Sequence, residues 1–122
     1  MKELIRIVLV EDSSDANTIM KNYLERFSAE TEYVFETKIY EDGISFLNEY
    51  DYSADIILMD IDLPGQSGIE TVRKLREQDK NVLIMFVTSL VHYAVEGYSV
   101  EAFDYIVKPI SYYEFLVKIK RA

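Results

Sequence analysis

Three stretches of this chain are apolar almost without interruption: Leu4–Val10 (LIRIVLV), Ile56–Met59 (IILM) and Val82–Val87 (VLIMFV). A strand that meets solvent on one face alternates apolar and polar residues. Unbroken runs rich in Val and Ile fit strands covered on both faces. Two further runs are weaker. Tyr33–Ile39 admits Glu36, Thr37 and Lys38, as an edge strand does, and Phe103–Val107 is shorter.

Helical patterns fill the gaps. After Ser13 and Ser14, the residues Ala16, Ile19, Met20, Tyr23, Leu24 and Phe27 recur at helical spacing. Asp42-Gly43 opens a short helix carrying Ile44, Leu47 and Tyr50. Ser67-x-x-Glu70 and Ser111-x-x-Glu114 read as capping boxes. Val72 and Leu75 follow the first, and Tyr112, Phe115, Leu116 and Ile119 form a stripe after the second. A weaker helical pattern lies around Tyr93–Gly97. Strands alternating with helices predict a doubly wound (βα)5 α/β domain, with a parallel sheet, right-handed crossovers and helices on both faces.

Composition narrows the function. A chain of 122 residues is read as one domain, and 49% apolar content argues against disorder. No apolar run approaches the roughly 20 residues of a membrane span. Acids stand right behind the first apolar run, which reads as a strand and not a signal peptide. With no cysteine, disulfides and thiolate chemistry are excluded, and an intracellular location is compatible. A net charge of −9 repels phosphate backbones, so the domain is not expected to bind nucleic acid directly.

Parallel sheets place their ligands past the carboxyl ends of the strands. Glu11 and Asp12 follow the first run, Asp60 and Asp62 the third, Thr88 and Ser89 the fourth, and Lys108 with Pro109 the fifth. Carboxylates held together repel, so they take up protons or a cation. An oxygen donor set favours Mg²⁺ or Mn²⁺ over zinc. Mg²⁺ shares its sites with phosphate, Lys108 supplies positive charge, and Thr88 supplies a hydroxyl. A carboxylate can itself attack phosphorus to give an acyl phosphate. Each residue alone has an ordinary reading: Asp12 and Asp62 as solvated turn acids, Thr88 as a cap, Lys108 as a surface lysine. Their co-location at separate strand ends favours the site.

These residues also carry a family likeness. Leu9-Val10-Glu11-Asp12, Leu58-Met59-Asp60-Ile61-Asp62-Leu63-Pro64-Gly65, Thr88-Ser89 and Lys108-Pro109 resemble the receiver domain of two-component response regulators, over Ile5 to about Lys120. The resemblance implies a flavodoxin-like sheet of order 2-1-3-4-5. It implies Asp60 as phosphoacceptor, Glu11 and Asp12 as the acid pair for Mg²⁺, and Asp62 as a metal ligand through its backbone carbonyl. Thr88 and Lys108 would contact the phosphoryl group, Tyr105 would be the aromatic switch, and the Lys108–Pro109 bond would be cis. Tyr98–Ile110 (YSVEAFDYIVKPI) is similar to receivers joined to a LytTR-type DNA-binding domain. That likeness implies a cytoplasmic transcription regulator whose output domain lies outside this chain, which is itself one receiver domain over residues 1–122. A sensor histidine kinase would be the donor. The domain would not be an enzyme, beyond assisting its own phosphorylation and dephosphorylation. A homodimer would form through the helix near Tyr93–Gly97, the fifth strand and the last helix.

Other readings stay open. Asp60-Ile61-Asp62-Leu63 also matches the DxD signature of haloacid-dehalogenase-like phosphatases, although there it closes the first strand. A receiver-like binding module that is never phosphorylated is a further alternative. Tyr93, Tyr98, Tyr105, Tyr112 and Tyr113 read as core packing or as a partner surface. His92 reads as a surface residue, and Arg73-Lys74-Leu75-Arg76 as the solvated face of a helix.

Overall fold

The structure, a computed structural model, describes residues 3–90 and 99–121. Its strands are β1 (Glu3–Val10), β2 (Tyr33–Tyr40), β3 (Ile56–Met59), β4 (Leu83–Thr88) and β5 (Asp104–Val107). The helices among the described residues are α1 (Ser14–Glu30), α2 (Gly43–Glu49), α3 (Gly68–Arg76) and α4 (Tyr112–Arg121). The strands form one parallel sheet in the order β2-β1-β3-β4-β5, as expected. The helical pattern near Tyr93–Gly97, Tyr98 and His92 lie outside the described residues.

The apolar runs divide by parity. Val8, Val10, Ile57, Met59, Ile84 and Phe86 face one core layer, with Phe46 of α2 and Ile69, Val72 and Leu75 of α3. Ile7, Leu9, Ile56, Leu58, Met85 and Val87 face the other, with Met20, Leu24 and Phe27 of α1 and Phe115 and Ile119 of α4. Successive side chains of a strand point to opposite faces, so a run apolar at every position feeds two cores. β2 lies at the sheet edge, consistent with its mixed pattern.

The helix starts follow the capping chemistry. Ser13 accepts the Ala16 N–H at 3.2 Å, Asp42 the Ser45 N–H at 2.7 Å, Ser67 the Glu70 N–H at 3.2 Å, and Ser111 the Glu114 N–H at 3.1 Å. Three details differ from the sequence reading. On α1 the buried stripe is Asn17, Met20, Leu24 and Phe27, while Ile19 is exposed. On α2 the buried anchor is Phe46, and Ile44 is exposed.

The third concerns Arg76, which is no solvated-face residue. Its guanidinium donates to the carbonyls of Val100, Asp79, Val82 and Glu101, at 3.0, 3.3, 2.9 and 2.8 Å. It ties the end of α3 to the turns that lead into β4 and β5. The planar fork supplies donors in several directions at once, which lysine cannot match.

Gly68 is the tightest junction between a helix and the sheet. A β-carbon added there would stand 2.0 Å from the Asp60 carbonyl oxygen and 2.8 Å from its carbon. The obstruction is backbone, so nothing flexible can yield. Gly68→Ala is expected to cost about 1–3 kcal/mol in urea unfolding, by driving α3 off the β3 end. Unchanged stability would show that α3 can shift freely.

Candidate functional site

The site is built on the next rung of the sheet. Just past β1, the Glu11 N–H donates to the Tyr40 carbonyl at 2.9 Å; past β3, the Asp60 N–H donates to Val10 at 2.9 Å; past β5, the Lys108 N–H donates to Thr88 at 2.9 Å. The ladder thus pins the backbones from which these three side chains depart.

Glu11 and Asp60 are buried, at 1% and 5% exposure. The Lys108 ammonium donates to Glu11 Oε1 and, at 3.1 Å, to Asp60 Oδ2. The other two oxygens are met by backbone. The Ser13 N–H donates to Glu11 Oε2 at 3.0 Å, and the Asp62 N–H to Asp60 Oδ1 at 3.1 Å. Asp12 is exposed, yet one oxygen each from Glu11, Asp12 and Asp60 lie within 4.8 Å of one another. Three carboxylates against one ammonium leave an anionic, oxygen-only pocket. That donor set fits a hard divalent cation such as Mg²⁺.

Electrostatics follow from burial. Desolvation pushes the Glu11 carboxyl up, and the Asp60 charge adds to the rise. The bonds from Lys108 and the Ser13 N–H pull it back only in part. For Lys108, burial pulls down, but the bond to Glu11 and the charge of Asp60 outweigh it and hold the amine above its ordinary value. The lysine stays charged, and Glu11 remains undercompensated.

The remaining expected residues fall around this core. Thr88 is fully buried, and its hydroxyl accepts the Leu90 N–H at 3.3 Å. No hydrogen bond joins it to the carboxylates among the described residues. The Tyr105 hydroxyl donates to the Leu90 carbonyl, so Thr88 and Tyr105 meet on one residue. The Asp62 side chain and Ser89 are exposed. The Lys108–Pro109 bond is cis. Tyr112 is half-buried against Tyr23 and under Arg26, while Tyr113 is exposed.

Sequence reasoning missed Asn17, whose Nδ2 donates to the Glu11 carbonyl at 2.9 Å, and the backbone of Ser13. A signal for Asn17 existed. It is a polar residue one helical step before Met20 and two before Leu24, on the stripe that faces the sheet.

Comparison with known proteins agrees with the geometry. A family profile described as the response regulator receiver domain matches residues 7–120. The chain is 37% identical over 84 residues to the sensory transduction protein LytT of Oceanobacillus iheyensis, covering 66% of this chain and 34% of that protein. It is 33% identical over 117 residues to the transcriptional regulatory protein ResD of Bacillus subtilis, covering 94% and 46%. The chain therefore spans a third to a half of these relatives. Among solved structures, it superposes on the receiver domain of a Pseudomonas aeruginosa sensor histidine kinase with magnesium coordinated in its active-site cleft. There the TM-score is 0.82 and the identity 25%, over 98% of this chain and 97% of that one.

A carboxyl held above its ordinary value favours folding while it keeps its proton. For Glu11 that contribution is complete below its ordinary value of 4.5 and is lost as pH rises through the raised value. Glu11→Gln cannot ionise, and its amide can accept from only one of the two donors, Lys108 or the Ser13 N–H. Without divalent cations, the variant's stability relative to the wild type is expected to rise as pH goes from 4.5 towards neutrality, because only the wild type loses the protonated carboxyl's contribution. Urea unfolding across that range measures this; a gap independent of pH would remove the burial argument.

Proposed function

The chain belongs to the response regulator receiver domain family, and on that premise we propose that Asp60 is the phosphoacceptor of a switch supplied by a partner histidine kinase. The observation that carries this reading is the bridge of Lys108 between Glu11 and Asp60, with Asp12 in reach of the same cation.

In the transfer, an Asp60 carboxylate oxygen forms a bond to phosphorus as the bond from phosphorus to the donor's imidazole nitrogen breaks. The electron pair leaves with the imidazole, and the product is an acyl phosphate. Lys108 already stands 3.1 Å from Asp60 Oδ2, so its charge is in place before the reaction and needs no reorganisation. Glu11, Asp12 and Asp60, with the Asp62 backbone carbonyl, would hold Mg²⁺. When bound, Mg²⁺ offsets charge on the transferring oxygens. The apolar groove of Ala16, Ile19, Met20, Pro109 and Ile110 opens beside Lys108 and offers the kinase a dry contact next to the acceptor.

Activation uses the shared anchor at Leu90. Turning the Thr88 hydroxyl towards the phosphoryl group releases the Leu90 N–H, and Tyr105 is bonded to the carbonyl of that same residue. Phosphorylation thus biases a two-state arrangement of Thr88 and Tyr105. The same acids and Lys108 would assist later hydrolysis of the acyl phosphate. A phosphatase would need the Asp62 carboxyl as general acid; that side chain is exposed, and only its N–H meets Asp60.

We further propose that residues 1–122 are the receiver part of a longer cytoplasmic regulator. The coverage of LytT and ResD, and the names of those relatives, support an output domain that controls transcription. The Tyr98–Ile110 stretch supports a LytTR-type DNA-binding output. Exposed Val107, Tyr113 and Val117 on β5 and α4 support a homodimer surface there.

Intact mass after incubation with acetyl phosphate tests the acceptor. One phosphoryl adduct is expected on the wild type with Mg²⁺, and none without Mg²⁺ or on Asp60→Asn. An adduct that persists on Asp60→Asn sinks the assignment. No adduct on a wild type that demonstrably binds Mg²⁺ favours a binding module instead.

A further inference from the structure

Asn17 lies near the start of α1, on the stripe that it shares with Met20, Leu24 and Phe27. It is 7% exposed. Its Nδ2 donates to the Glu11 carbonyl at 2.9 Å, while its Oδ1 has no hydrogen-bond partner among the described residues. A buried acceptor without a donor destabilises the fold, so packing does not account for an amide here. An apolar residue would match the rest of the stripe. What the amide provides is its donor arm.

That arm completes the anchoring of Glu11. The Glu11 N–H is held by Tyr40, and its two carboxylate oxygens are held by Lys108 and the Ser13 N–H. Asn17 holds the remaining group, the carbonyl. This carbonyl belongs to the peptide that joins Glu11 to Asp12, so fixing it fixes the direction in which the Asp12 side chain departs. Asp12 is the exposed member of the acid triad, and its carboxylate makes no hydrogen bond among the described residues. Its aim therefore depends on its backbone.

We propose that Asn17 is a positioning residue for the cation site: it orients the Glu11–Asp12 peptide so that both carboxylates point at one divalent cation. The inference rests on the reading of Glu11, Asp12 and Asp60 as cation ligands. Residues behind metal ligands typically change affinity by about 10–100-fold when removed. Asn17 acts through backbone and not on the metal-ligand atoms, which places its effect at the lower end.

The test compares the wild type, Asn17→Leu and Asn17→Gln by calorimetric titration with Mg²⁺ alone and by urea unfolding without Mg²⁺. Asn17→Leu removes the donor together with the unmet acceptor. It leaves the Glu11 carbonyl without that donor in exchange, so its stability is expected to stay close to that of the wild type, while it binds Mg²⁺ about tenfold more weakly. Asn17→Gln keeps an amide and is expected to recover part of the affinity. At saturating Mg²⁺, labelling by acetyl phosphate should return close to the wild-type rate in both. A folded Asn17→Leu with wild-type Mg²⁺ affinity overturns the proposal. Should that variant fail to fold, Asn17→Ala supplies the same comparison with the same two outcomes. A wild type that binds no Mg²⁺ overturns the cation-site reading itself, and locates the failure in the acids and not in Asn17.

Discussion

A parallel sheet covered by helices on both faces leaves its strands little room for charge except at their ends. The rest of this structure depends on that constraint. Along Ile7–Val10 of β1, and along β3 and β4, alternate side chains enter two separate apolar layers with no ionisable group among them. At the carboxyl edge the sheet ladder continues for one more rung, through the backbones of Glu11, Asp60 and Lys108. Their side chains therefore start from positions set by sheet geometry, not by loop conformation. A site whose parts lie far apart in sequence gains the rigidity of the sheet in this way.

The price of that placement is electrostatic. Two carboxylates are buried together, and one lysine bridges them. Breaking such a pair from one side leaves charge buried and uncompensated. The arrangement is thus weak as a source of stability, while its oxygen-only donor set fits a hard divalent cation. The raised Glu11 carboxyl records the same conflict: desolvation opposes its charge more than its partners favour it. A protein arranged for stability alone would carry apolar residues at such positions.

The fold was largely legible from pattern. Continuous apolar runs marked the covered strands, mixed polarity marked the edge strand β2, and the four helix starts among the described residues carried Ser or Asp where the caps are found. Less legible was which side of each helix faces inward. Ile19 and Ile44 are apolar but exposed, whereas Asn17 is polar and buried. Helical periodicity permits neighbouring stripes on the same segment, and contact with the sheet chooses between them. Arg76 was misread for a related reason. Its charge suggested solvent, but the carbonyls it satisfies come from turns distant in sequence, and no local pattern reveals their approach.

By itself the sequence determined the element order, the two-sided burial of the sheet, and the residue types available at each strand end. These follow from side-chain polarity and spacing, which are local properties. Only the tertiary structure decided that Lys108 reaches Glu11 and Asp60 together, that Thr88 and Tyr105 meet at Leu90, and that Asn17 and Gly68 stand behind the acids. Each of these depends on the register between strands and on the seating of helices against the sheet. Register and seating are settled by packing across the whole core, so no short stretch of the chain encodes them alone.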